Sequence, residues 1–186
     1  MSAHACDECL RTTAALAGAV AEDRRPRRLA RAKLTTRGDL AELRHAARDA
    51  HVSLLCRHDA RWPAQLCDLH DPPGVLHLAG ALDPVALRGP SVAIVGARRA
   101  TPYGLSTARG LARDLACAGV PVISGLALGV DAAAHAGALD GGGTTVAVLA
   151  AGVECPSPQA NAALYHRMLR AGGVVSELPV GSRPRP

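Results

Sequence analysis

The chain has almost no aromatic residues: among 186 there is no Phe, one Trp and two Tyr. That excludes an aromatic cage and argues against a single-strand binder whose bases lie on exposed rings. Alanine and branched aliphatics must therefore build the interior. Lysine is nearly missing too, since Lys33 is the only one among 21 cations. No stretch approaches the roughly 18 consecutive apolar residues of a membrane span, and Asp7 and Glu8 stand where a secretory leader would be basic. A cytoplasmic protein with no membrane partner is expected. Six cysteines are scattered along a chain with no secretory signal, which argues against a disulfide framework. No second CxxC follows Cys6-Asp7-Glu8-Cys9, so only half of a zinc site is visible; His4 and distant cysteines are the candidates to complete it. On this reading neither a metal nor any other cofactor is expected.

What is present is a net charge of +5 (21 − 16) carried by arginine. The guanidinium fork grips phosphate at two points, but codon usage in a G+C-rich genome would also raise Arg and Ala together. Position must decide. Residues 1–50 read as a small helical module, with a basic stretch from Arg24 to Lys33 broken by Pro26 and a helix after Thr36 carrying Leu40, Leu43, Ala47 and Ala50 at helical spacing. Residues 51–186 read as a second domain. Val52 to Cys56 and Val75 to Leu78 are two short strands. An α/β alternation then begins: strands at Ser91–Gly96, Val120–Gly125, Thr144–Leu149 and Gly173–Leu178, with helices at Gly104–Ala118, from Asp131 to the glycines at 141–143, and from Ser157-Pro158 to Gly172. In the first helix Ala108, Leu111, Ala112 and Leu115 share one face. The fold expected is α/β, a Rossmann-like parallel sheet with helices on both faces.

Ligands of such sheets gather outside the carboxyl ends of the strands. Three loops lie there: Gly96 to Gly104, Gly125 to Asp131, and Ala150 to Pro158. The first holds Arg98, Arg99 and Thr101 before a helix N-terminus; it is neither GxGxxG nor a P-loop. The second strand ends in Ser124-Gly125, without the acidic residue that holds a ribose, which disfavours a dinucleotide cofactor. The pocket suits a phosphate, with Gly125 and Gly129 allowing close backbone approach and loop amides meeting a second phosphate. Asp131 and His135 lie one helical turn apart. The structural reading, a helix-capping Asp131 bonded to His135, outweighs acid–base catalysis, because no Ser or Cys nucleophile has an evident partner. Asn161 is expected to bond neighbouring backbone, and Glu177 is a candidate to orient Arg98 or Arg99.

The run SVAIVGARRATPYGLSTARGLARDLACAGVPVISGLALGVDAAAHAGAL, then GGGTTVAVLAAGV, PQANAAL and GGVVSELPVG, resembles the DprA/Smf DNA-processing family, with Trp62-Pro63 and Asp71-Pro72-Pro73 similar to its lead-in. The resemblance covers Val52 to Pro186. It implies a non-catalytic protein that binds and protects single-stranded DNA in natural transformation and hands it to a RecA-type recombinase, with a homodimer as a further family property. By motif match Arg98 is the residue that grips DNA, with Gly96, Arg99, Thr101, Gly104, Ser124, Gly125 and Gly129 as parts of the same pocket. Two departures stand out. Ser157 occupies a position where the family has Tyr, and the sequence stops at Pro186 where relatives continue into an FxxRNR-type segment, so it reads as a truncated copy, with a non-functional one as an alternative. The other alternative is a phosphoribohydrolase of the lysine-decarboxylase-like group, whose PGGxGTxxE motif is superficially similar to Gly141-Gly142-Gly143-Thr144-Thr145.

Overall fold

The structure, a computed structural model, describes residues 5–11, 13 and 37–183. His4 and the basic stretch from Arg24 to Lys33 lie outside them. Two compact units emerge, Met1–Leu78 with Ala150–Cys155 and Ser176–Pro186, and Ala79–Leu149 with Pro156–Val175.

The first unit contains helical residues 7–11, helix α1 (Arg37–Asp49), strand β1 (Ser53–Cys56) and, as far as Leu78, strand β2 (Val75–Gly80). The strands pair antiparallel from Ser53↔Leu78 to Cys56↔Val75. Leu10, Leu40, Leu55 and Val75 are fully buried here, so the apolar positions of the N-terminal segment contribute to a real core.

The second unit alternates β3 (Val92–Ala93), α2 (Pro102–Cys117), β4 (Val122–Ser124), α3 (Val130–Asp140), β5 (Thr145–Val148), α4 (Ala162–Ala171) and β6 (Gly173–Ser176). Neighbours β3 and β4, β4 and β5, and β5 and β6 are parallel. The six strands run in the order β1-β2-β6-β5-β4-β3, giving the expected α/β architecture. The parallel strands are shorter than their apolar runs because the ends turn into loops: Val95, the last aliphatic of the first run, is 74% exposed.

The core of the second unit is built from Ile94, Ala108, Ala112, Ala116, Val122, Ala134 and Ala138. This accounts for the missing aromatics. A Cβ added at Gly137 would fall on the Arg109 carbonyl, and one at Gly141 would lie 2.7 Å from the Arg113 carbonyl oxygen. The backbones of α2 and α3 are thus too close for anything larger than Ala or Gly. The buried face of α2 is Ala108, Ala112 and Ala116, with Leu115 packed at its edge, whereas Leu111, expected to share it, is half exposed.

Helix α4 also departs from the sequence reading. Ser157 and Pro158 do not open it. The peptide between them is cis, Gln159–Asn161 form a 3-10 turn, and the α-helix starts at Ala162. Asn161 is held instead by the second loop, as follows.

Candidate nucleic-acid interface

The first loop, Gly96 to Thr101, joins β3 to α2. Thr101 is the N-cap of α2, its hydroxyl accepting from Gly104 N–H at 3.2 Å, and Pro102 follows at the first helical position. The loop is locked to the second one at Gly129, which has φ +84 and could not carry a Cβ: the added atom would fall on the Ala97 carbonyl and lie 2.6 Å from that of Arg98. Val130 N–H donates to the Ala97 carbonyl at 3.2 Å. At Gly96 a Cβ would press into the Val130 side chain at 2.9 Å. The backbone bearing Arg98 and Arg99 is therefore fixed while both side chains stand exposed. Neither has a carboxylate partner among the described residues.

The second loop is more occupied than its glycines suggest. Asp131, 7% exposed, accepts through Oδ2 from Gly125 N–H at 3.1 Å and Ala127 N–H at 3.4 Å. The amides expected to face a phosphate thus already hold a carboxylate. A Cβ on Gly125 would lie 2.9 Å from that same oxygen. Asn161 donates through Nδ2 to the carbonyls of Leu126 (2.8 Å) and Ala127 (3.1 Å), the backbone role expected of it. Ser124, 3% exposed, donates its hydroxyl to the Ile94 carbonyl at 2.6 Å, tying the end of β4 to the residue that follows β3. Of the eight residues of the expected pocket, Arg98 and Arg99 present exposed charge; Gly96, Thr101, Ser124, Gly125 and Gly129 shape the frame. Gly104, with only ordinary contacts around an added Cβ, is open to either role.

His135 does not bond Asp131. Its Nδ1 lies 2.7 Å from the Thr145 hydroxyl, which donates to the Val122 carbonyl at 2.9 Å; with its proton so committed, the hydroxyl accepts from His135 Nδ1–H. The nearby Asp131 charge opposes, without cancelling, the burial that pushes the imidazole down to about 4. A buried neutral histidine beside a carboxylate already holding two amides is a structural pair. The glycines at 141–143 lie before β5, at the opposite end of the strand from the three loops. There a Cβ on Gly143 would press on Ala116 at 2.6 Å, and Thr145 is fully buried, so these two residues serve packing.

An open groove of about 700 Å³ begins at Leu128 and Gly129 and runs between α2, α3 and α4. Arg109 and Arg167 line it, both paired with Asp140, whose carboxyl their guanidinium groups, Arg109 first, hold below its usual range. Two cations share one anion, so the groove is net positive on its walls.

Fold and site together define a Rossmann-like α/β protein that presents arginines at a strand end. The chain belongs to the DNA recombination-mediator protein A family, whose profile matches residues 53–186. It is 38% identical to protein Smf of Synechocystis over 128 residues, 68% of this chain and 32% of that protein. A Mycobacterium tuberculosis protein bearing the DprA name is 50% identical over 103 residues, 55% of this chain and 26% of that protein. The chain thus spans about a third or less of these two curated relatives. The crystal structure of DprA from Streptococcus pneumoniae superposes with a TM-score of 0.67 at 25% identity, covering 97% of this chain and 66% of that one. A structure concerned with the single-stranded DNA binding mode of DNA processing protein A from Helicobacter pylori gives 0.62 at 32% identity, covering 73% of this chain and 60% of that one. No helix among the described residues is long and apolar enough to cross a membrane.

Proposed function

We propose that the protein binds single-stranded DNA through its phosphates, without turnover, by the loop that carries Arg98 and Arg99. The observation that carries this reading is the pair of exposed arginines, free of carboxylate partners among the described residues, on backbone pinned by Gly129 and Val130. Phosphate contacts fix register and supply affinity without reading bases, so a pocket without aromatic platforms serves a sequence-tolerant binder. Arg109 and Arg167 extend the positive surface along the groove. Thr101 and Gly104 at the start of α2 add a helix N-terminus beside the arginines, and Gly96, Ser124, Gly125 and Gly129 set the loop geometry. Family membership extends the reading to protection of incoming DNA in natural transformation and to transfer to a RecA-type recombinase, with a homodimer as the assembled form.

The test is a salt series of binding to an oligo-dT strand. Removing a charge-assisted phosphate contact costs about 1.5–3 kcal/mol, so Arg98→Ala should weaken binding by roughly 10- to 100-fold. It should also flatten the plot of log affinity against log salt by about 0.7. Affinity and slope equal to wild type in the Arg98→Ala, Arg99→Ala double variant would remove the loop from the interface.

A further inference from the structure

We propose that Cys6, Cys9, Cys56 and His58 form a structural zinc site that fastens the start of the chain to the end of β1. The four ligand atoms lie within 4.8 Å of one another. Cys56 Sγ is 3.6 Å from both Cys6 Sγ and Cys9 Sγ, and His58 Nδ1 is 3.4 Å from Cys6 Sγ and 3.5 Å from the sulfurs of Cys9 and Cys56. Around a tetrahedral zinc with Zn–S of about 2.3 Å and Zn–N of about 2.0–2.1 Å, sulfurs stand about 3.8 Å apart and sulfur and nitrogen about 3.6 Å. These five separations match those figures to within a few tenths of an ångström. All three thiols are free, and their separations far exceed the roughly 2 Å of a disulfide.

The backbone is arranged for ligation at both halves. Residues 7–11 are helical, and Leu10 N–H donates to the Cys6 carbonyl at 3.1 Å, so Cys6 and Cys9 project from one turn onto one side. Cys56 is the last residue of β1, and the chain turns at once: Asp59 N–H donates to the Cys56 carbonyl at 2.8 Å. In that turn His58 N–H donates to Cys56 Sγ at 3.4 Å. A backbone donor aimed at a sulfur two residues back stabilises a thiolate ligand and fixes its direction. The two halves are also clasped on either side, by Arg44 to Asp7 at 2.5 Å and to the Ala5 carbonyl at 2.9 Å, and by Arg57 to Glu8 at 3.2 Å. Cys9 and Cys56 are buried.

Three thiolates and one imidazole in a tetrahedron select zinc over the oxygen-seeking cations, and four protein ligands leave no open position, which makes the site structural and not catalytic. The ligands are 47 to 52 positions apart across the two halves, so the metal closes a long loop and couples its binding to folding. The second half of the site is Cys-x-His, a spacing that a search for a repeated CxxC passes over.

The experiment is metal analysis of the full chain purified under reducing conditions from cells grown with zinc. One zinc per chain is expected, falling to near zero in Cys56→Ser and His58→Ala and unchanged in Cys67→Ser and Cys117→Ser, whose cysteines lie outside the cluster. Because a ligand variant could misfold, the stripped wild-type chain is also loaded with Co²⁺, where intense tetrahedral d–d bands and thiolate charge transfer are expected, and His58→Cys should retain the metal. Zinc-free protein, full occupancy in the ligand variants, loss of metal in the Cys67 or Cys117 variants, iron in place of zinc, or a weak octahedral cobalt spectrum would each overturn the proposal.

Discussion

Gly137→Ala will lower the stability of the protein by about 1–3 kcal/mol, while Gly110→Ala, in the facing helix, will raise it. Both glycines sit in helix interiors, where alanine is intrinsically better by roughly 0.5–1 kcal/mol. At Gly110 nothing lies within 4 Å of an added Cβ, so that gain should be realised. At Gly137 the added atom would fall on the Arg109 carbonyl and lie 2.8 and 2.9 Å from the Arg109 C and Cα. Those are backbone atoms of α2, with no rotamer to escape into, and relief requires the helices to separate. Separation would loosen Ala108, Ala112, Ala116, Ala134 and Ala138 together, and overpacking of that kind costs about 1–3 kcal/mol or more. For a chain of this size each kcal/mol moves the melting temperature by about 2–4 °C. Thermal unfolding should therefore show Gly137→Ala melting roughly 2–12 °C lower and Gly110→Ala slightly higher than wild type. Equal melting temperatures for the two variants would mean that the helices are not in backbone contact.

The same contact shows how far the sequence could be read. Strand and helix alternation is visible because buried parallel strands and helix faces have distinct periods, and the loops between them fall where the topology puts them. The alanine-rich helices are equally visible, but helical spacing assigns Leu111 to the buried face because periodicity measures angle around a helix and not distance to its neighbour. That distance is set by Gly137 and Gly141, 28 residues from the Arg109 and Arg113 carbonyls they approach (137 − 109 and 141 − 113). The interface loop divides in the same way. Arg98 and Arg99 were legible as charges at a strand end. That Asp131 fills the amides of Gly125 and Ala127, and that Ser124 is spent on Ile94, depends on side-chain directions that no local pattern encodes. His58 is illegible for a plainer reason: it is separated from Cys6 and Cys9 by about fifty residues, and only the fold brings them together.

Acid will destabilise the protein through two buried histidines before its carboxylates give way. His77 is 2% exposed and His135 fully buried, and burial pushes both imidazoles down to about 4, only partly offset by the Ser176 backbone at His77 and the Asp131 charge at His135. In the unfolded chain each would bind its proton near 6.5. The folded value lies below the unfolded one, so the unfolded state holds more protons between about 6.5 and 4, and stability that is whole above this window is lost as the pH falls through it. The slope approaches about 1.4 kcal/mol per pH unit per histidine, or about 3 kcal/mol from each by pH 4, against a total of roughly 5–15 kcal/mol for an ordinary domain. Asp59, held to about 2 by the Arg61 side chain and backbone, and Asp140, lowered by Arg109 and Arg167, give up their stabilisation only as the pH falls below the ordinary carboxylate value. Glu177, raised by burial and by Asp71, works in the opposite sense. Urea titrations at pH 7, 6 and 5 isolate the histidine contribution when wild type is set beside His135→Asn, whose amide can donate to the Thr145 hydroxyl as Nδ1–H does but cannot take up a proton. The wild-type free energy should fall more steeply with acid, by up to about 1.4 kcal/mol per pH unit. Every other proton-linked event, in either unit, is common to both proteins and cancels in that difference, so parallel slopes would mean that His135 is not a neutral buried imidazole.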